Sequence, residues 1–165
     1  MDSASLTDKT IREILTPLCE PVHPAWVDGN TTPLATSMAV LRLADGDLIM
    51  LAPCEVELEP GKYPSLGLSV EKCDPGALQW HRNGNTYSMN SLSDAVGLLP
   101  FSVCHVEESD PLGEGTVSEV ALGGPDGSRV LFRHIMPPMT LGIELAGPGQ
   151  APNDSFKPNP LRKSA

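Results

Sequence analysis

The stretch "HVEESDPLGEGTVSEV", His105 to Val120, holds five carboxylates, Glu107, Glu108, Asp110, Glu114 and Glu119, and neither lysine nor arginine. Acids in such a run can ligate a metal, pair for acid–base work or face a basic partner. A metal needs convergent ligands. His105 and Glu107 share one face of a strand, with Asp110 just beyond. The run has no H-E-x-x-H and no EF-hand spacing of acids, so no metal site is assigned. A solvated acidic loop at the end of a strand accounts for the pattern. Glu55, Glu57 and Glu59 form a second acidic group, alternating with Val56 and Leu58. That alternation predicts an outward acidic face over buried apolar positions, and a row of like charges deters edge pairing.

Nucleophilic chemistry finds no support. Cys104 and His105 are neighbours on a predicted strand, so their side chains point to opposite faces. No G-x-S-x-G elbow is present. The glycines of "ALGGPDGSR" lack the G-x-x-x-x-G-K-[ST] pattern that cradles phosphate, and a basic stripe with interleaved aromatics is missing. The sequence therefore assigns neither a catalytic residue nor a cofactor. "RHIMPPMTLGIEL" sets Met136 and Met139 around Pro137-Pro138. Methionine adapts to re-packing surfaces, so this segment reads as a kinked strand over the core or as an apolar patch beside the acidic rim.

These groups need a scaffold. A chain of 165 residues suffices for one domain with a core, and 40% hydrophobic content favours folding. The net charge is −10, and residues 1–145 carry 20 acids against 8 lysines and arginines. Such an acidic body repels nucleic acid and anionic membranes and suits a basic protein partner. No apolar run reaches the roughly 18 residues of a membrane span. The N-terminus lacks the apolar core of a signal peptide, so a cytoplasmic location is expected. Cys19, Cys54, Cys73 and Cys104 form no C-x-x-C pair and are expected to be reduced and mostly buried thiols.

Along the chain, Ile11, Ile14, Leu15 and Leu18 fall at i, i+3, i+4 and i+7, which predicts a helix over Thr7–Leu18. The proline-rich connection after it is expected to plug Trp26 into the core. Strand periods follow. Hairpins are predicted at Asp45-Gly46, Pro60-Gly61, Asn83-Gly84 and within "GGPDGS". "NSLSDAVGLLP" predicts a second short helix with Leu92, Val96 and Leu99 as its apolar stripe. "PPMTLGIEL" predicts a last strand. The fold class expected is α+β, a mainly antiparallel, hairpin-rich β-sheet with one or two short helices. Residues 1–145 form the domain, and residues 146–165 a disordered Pro/Gly-rich tail.

The expected function is a non-catalytic protein-binding domain. Its most concrete form is a bacterial immunity or inhibitor protein that neutralises a basic toxin or effector by covering its active surface. Contact would fall on Glu107, Glu108, Asp110, Glu114, Glu119, Met136 and Met139. The alternative is a small-molecule-binding protein or an enzyme with an unsignposted pocket.

Overall fold

The computed structural model describes residues 2–17 and 34–148. Trp26, Cys19 and the tail from residue 149 onward lie outside the described residues. The strands are β1 Thr10–Thr16, β2 Leu34–Thr36, β3 Ala39–Leu43, β4 Leu48–Val56, β5 Ser65–Cys73, β6 Gln79–Arg82, β7 Asn85–Ser88, β8 Asn90–Ser91, β9 Phe101–Ser102, β10 His105–Ser109, β11 Glu119–Gly123, β12 Arg129–Ile135 and β13 Thr140–Ala146. All the pairings are antiparallel. The helical residues described are short 3-10 turns at Ser3–Leu6, Pro75–Leu78 and Ser93–Leu98.

The strands form two main sheets. One runs β5-β4-β3-β1-β8, with β9 also on β1, and the other runs β10-β11-β12-β13-β2. Ile11, Leu41, Ile49 and Leu51 from the first meet Val120, Leu122, Phe132 and Ile143 from the second in one apolar cluster. Alternation drives this arrangement, because every second residue of each strand points to the shared interior. The first sheet is buried on part of its other face as well. There Leu15, Val40 and Leu48 pack with Met50, Leu78 and Met89, the last two from the flanks of the β6–β7 hairpin.

Where a helix is expected over Thr7–Leu18, Thr10–Thr16 form strand β1, and Leu18 lies outside the described residues. The pairing of β1 with β3 shifts register between Ile11 and Glu13. The extra residue of that bulge, Arg12, lets Ile11 and Ile14 face the core although they are three apart. Leu15 then points to the opposite apolar face. A bulged strand buried on both faces thus mimics the helical spacing. The β-branched content of "TIREILT" is the signal on the other side. The second predicted helix is the 3-10 turn Ser93–Leu98. With three residues per turn it aligns Leu92 with Ala95, which are buried, and leaves Val96 exposed.

The hairpin turns match their residues. Asn83 and Gly84 both have positive φ, the twist a two-residue hairpin needs. The β3–β4 and β11–β12 turns use one device. In the first, Gly46 N–H donates to Leu43 O and the Asp45 carboxylate accepts from Asp47 N–H. In the second, Gly127 N–H donates to Gly124 O and Asp126 accepts from Ser128 N–H. Gly46 and Gly127 occupy the left-handed position.

Candidate functional site

At the end of the sandwich away from those two turns, three connections meet: residues 57–64, 110–118 and 136–139. Hydrogen bonds tie 110–118 and 136–139 to β5, while residues 57–64 lead into β5 and bring Leu58 beside Gly115. Glu114 Oε1 accepts from Leu66 N–H at 2.8 Å, and its carbonyl accepts from Ser65 Oγ at 3.0 Å. Leu68 N–H donates to Val117 O at 2.8 Å. Gly67 leaves so little space that a Cβ there would sit 3.2 Å from Thr116. The loop 110–118 therefore lines the edge of β5.

His134 links the third connection. It is fully buried on β12. Its Nδ1 lies 2.8 Å from Gly67 O, and Met139 N–H points at its Nε2, also at 2.8 Å. A carbonyl only accepts and a backbone N–H only donates, so the ring is neutral, with its proton on Nδ1. The imidazole thus joins the two sheets and holds the 136–139 turn, in which Met139 has a positive φ of 69°.

Exposed apolar side chains cluster on the connections at this end. Tyr63 is 99% exposed, Leu58 50%, Met139 47% and Met136 37%. Exposed Glu55, Glu57, Glu59 and Asp110 lie on the same connections and strand ends. Lys62 pairs with Glu59 at 2.7 Å. Leu58, expected to be buried, is exposed because β4 ends at Val56 and the following Pro-Gly turn leaves the core. Tyr63 was not singled out by the sequence reading. Its place between Lys62 and Pro64 in that turn is the signal that marks it.

The five carboxylates of the opening run do not form one solvated loop. Glu107 and Glu108 lie on β10 and Glu119 on β11. Nor do they lack cations. Arg129 stands 3.6 Å from Glu107, and Arg133 stands 3.4 Å from Glu119. Cross-strand pairing brings these arginines over from β12, more than ten positions away in sequence. Glu119 is buried, and burial pushes its carboxyl above the usual range against the opposing pull of Arg133 and Ser109. Glu108 accepts from Ser3 Oγ. Asp110 closes its own turn, its two oxygens accepting from Glu114 and Gly115 N–H at 3.1 and 2.8 Å. Of the expected contact residues, the structure gathers Asp110, Glu114, Met136 and Met139 at one end. Glu107 and Glu119 lie on the outer face of the second sheet.

Among the described residues no group of three or more His, Cys, Asp or Glu side chains is placed to hold a metal. Cys54, Cys73 and Cys104 are free thiols. Burial raises Cys54 and Cys73, helped by Glu71 and Asp74 respectively. Cys54 and Cys73 are half-buried and Cys104 is exposed, where mostly buried thiols are expected. No described helix is long and apolar enough to cross a membrane.

A separate groove of about 340 Å³ opens where β1 is bulged. Ile14, Leu92, Val96, Leu99 and Pro100 line it, with Arg12, Glu13 and Ser91 at its polar side. The Glu13 carboxylate accepts from Ser91 and from Arg42, at 3.0 Å for the latter, and the Ser91 bond leads in holding its pKa below the usual range. Searches against protein-family models, curated proteins and solved structures find no match to this chain.

Proposed function

We propose that this chain is a non-catalytic, acidic protein-binding domain of the immunity or inhibitor type, which covers a basic partner with the end built from residues 57–64, 110–118 and 136–139. The observation that carries this reading is the placement of exposed Tyr63, Leu58, Met136 and Met139 on connections at one end of the sandwich, which also bears exposed Glu55, Glu57, Glu59 and Asp110. Aromatic and methionine side chains supply contact area, and a charged margin steers encounter with an oppositely charged surface. The 110–118 and 136–139 connections, held by Asp110, Glu114 and His134, lose little further entropy when they dock.

The test uses three immobilised baits against an extract of the native cell: the wild type, Tyr63→Ser with Met139→Ser, and Glu55, Glu57 and Glu59 each changed to Gln. A basic protein should be held by the wild type at low salt and lost by the Tyr63–Met139 variant. It should associate more slowly, with a flatter salt dependence, on the Gln variant. Equal capture by all three baits would remove this end from the contact.

The groove at Arg12 favours a second reading, a small-molecule binder, because its volume and mostly apolar lining suit a compact ligand. Saturable thermal stabilisation by a member of a carboxylate panel, lost in Arg12→Gln, would support it.

A further inference from the structure

The β6–β7 hairpin belongs to neither main sheet. Its base is anchored, since Leu78 and Met89 pack on the first sheet and Met89 N–H donates to Leu78 O. Beyond that base, every residue from Gln79 to Ser88 except Trp80 is exposed. Trp80 and Tyr87 stack on one face, with ring centroids 5.9 Å apart. The arm also differs electrically from the rest of the chain. Pro75–Ser93 is the longest stretch of the sequence without an acid, in a molecule of net charge −10.

The two edges of the arm are not alike. In an antiparallel ladder, hydrogen-bonded pairs alternate with pairs whose amides point outward. The bonded Leu78–Met89 pair fixes the phase. Trp80–Tyr87 and Arg82–Asn85 are bonded pairs, while His81 and Thr86 turn their amides outward, as do Gln79 and Ser88. On β6 that free edge is guarded by His81 and Arg82. On β7, "NTYS", it has no charge, proline or bulge, the usual protections of an exposed edge.

We propose that β7 is a self-association edge, and that two copies of this chain pair it antiparallel about a two-fold axis at Tyr87. In that register Thr86 of each copy exchanges both hydrogen bonds with Ser88 of the other. Tyr87 faces its own counterpart in a closely spaced, non-bonded pair. The two hairpins become one four-stranded ribbon with a continuous aromatic row, Trp80–Tyr87 of one copy followed by Tyr87–Trp80 of the other. A second copy is the fitting occupant on charge grounds. In a body with 21 acids against 11 lysines and arginines, this contact sets no acid against another. A two-fold contact also closes on itself and stops at the dimer.

Salt separates this contact from the one proposed at the acidic end. Screening weakens attraction to a basic partner, but it relieves repulsion between two acidic bodies. Sedimentation equilibrium of the purified chain, up to about millimolar concentration, should show a monomer–dimer equilibrium whose dimer fraction rises from low salt to about the physiological ionic strength of 0.15 M. Thr86→Pro removes an outward donor and leaves the hairpin's own backbone ladder intact, at the loss of the exposed Thr86 Oγ1–His81 Nδ1 bond, so the monomer should stay folded with only a small drop in melting temperature. Symmetry loses that bond twice, so self-association should weaken roughly tenfold or more. Tyr87→Lys sets two like charges opposite each other and should abolish the dimer, which keeps the test decisive if the proline variant fails to fold. A wild type that stays monomeric throughout would overturn the proposal. So would a dimer that Tyr87→Lys leaves untouched.

Discussion

His134 shows how much one side chain can hold. With its two nitrogens spoken for by Gly67 and Met139, it fixes a cross-sheet link and a turn at once. His134→Ala would strand a buried carbonyl and a partly buried N–H, at about 1–3 kcal/mol each. A loss of about 3 kcal/mol in urea unfolding is the expected outcome. His134→Gln keeps one donor and one acceptor and should lose clearly less. Equal losses would show that the ring acts by bulk alone. The carboxylates make an opposite pair of cases. Asp126 is held below the usual range, first by Ser128 Oγ and then by Ser128 N–H, while Asp45 is held down by Asp47 N–H and then Lys9. Their folded values lie below the unfolded ones, so their contribution is full above about pH 4 and is lost as pH falls through the folded values. Burial raises Glu119, so its sign reverses. Its contribution is present below an unfolded value of about 4.3 and is lost as pH rises through the folded one. In stability measured against pH, Asp126→Asn should flatten the acid-side slope by its own share while Asp45 keeps the rest, and Glu119→Gln should remove the opposing dependence.

At the scale of elements, acids with similar surroundings in the sequence do different work. Asp110 holds the 110–118 connection through backbone N–H groups, and Glu114 ties that connection to β5. Asp110→Ala should therefore cost about 1–2 kcal/mol, the scale of losing a capping carboxylate. Glu55 and Glu57 are exposed and form no described ion pair, so changing both to Gln should shift stability by less than about 0.5 kcal/mol. Thermal unfolding of the two variants compares them directly. If the double Gln variant proved the less stable, these two acids would belong to the structure rather than to a steering margin. The turns obey a simpler rule. Gly46 and Gly127 sit at φ of 94° and 86°, so alanine at either meets backbone strain, and at Gly46, where a Cβ would find open space, strain alone.

Over the whole molecule, net charge of −10 opposes compaction, while five of the six described ion pairs are substantially exposed and hold little stability. Self-repulsion should win, so the melting temperature should rise as NaCl increases to about 0.2 M, one to two tenths molar being enough to shorten the screening length to near 10 Å. A fall would mean that ion pairs such as the buried Arg133–Glu119 dominate. The two sheets also echo each other, since the β3–β4 and β11–β12 hairpins share one turn device and lie side by side with β5 and β13 in the same order. The hairpins were legible in the sequence because an Asn-Gly or Asp-Gly turn and alternating apolar residues are local signals, complete within about ten residues. The predominance of antiparallel sheet followed from the same signals. The helix expected at Thr7–Leu18 failed because a bulge and burial on two faces are tertiary facts, decided by β3 on one side and by Leu78 and Met89 on the other. The charge run shows the same division. Composition alone made the body acidic, but only cross-strand register could bring Arg129 and Arg133 to Glu107 and Glu119. Likewise only the packing of β5, β12 and the 110–118 connection could bring Tyr63 and Met139 to one end, because those contacts join residues far apart in sequence.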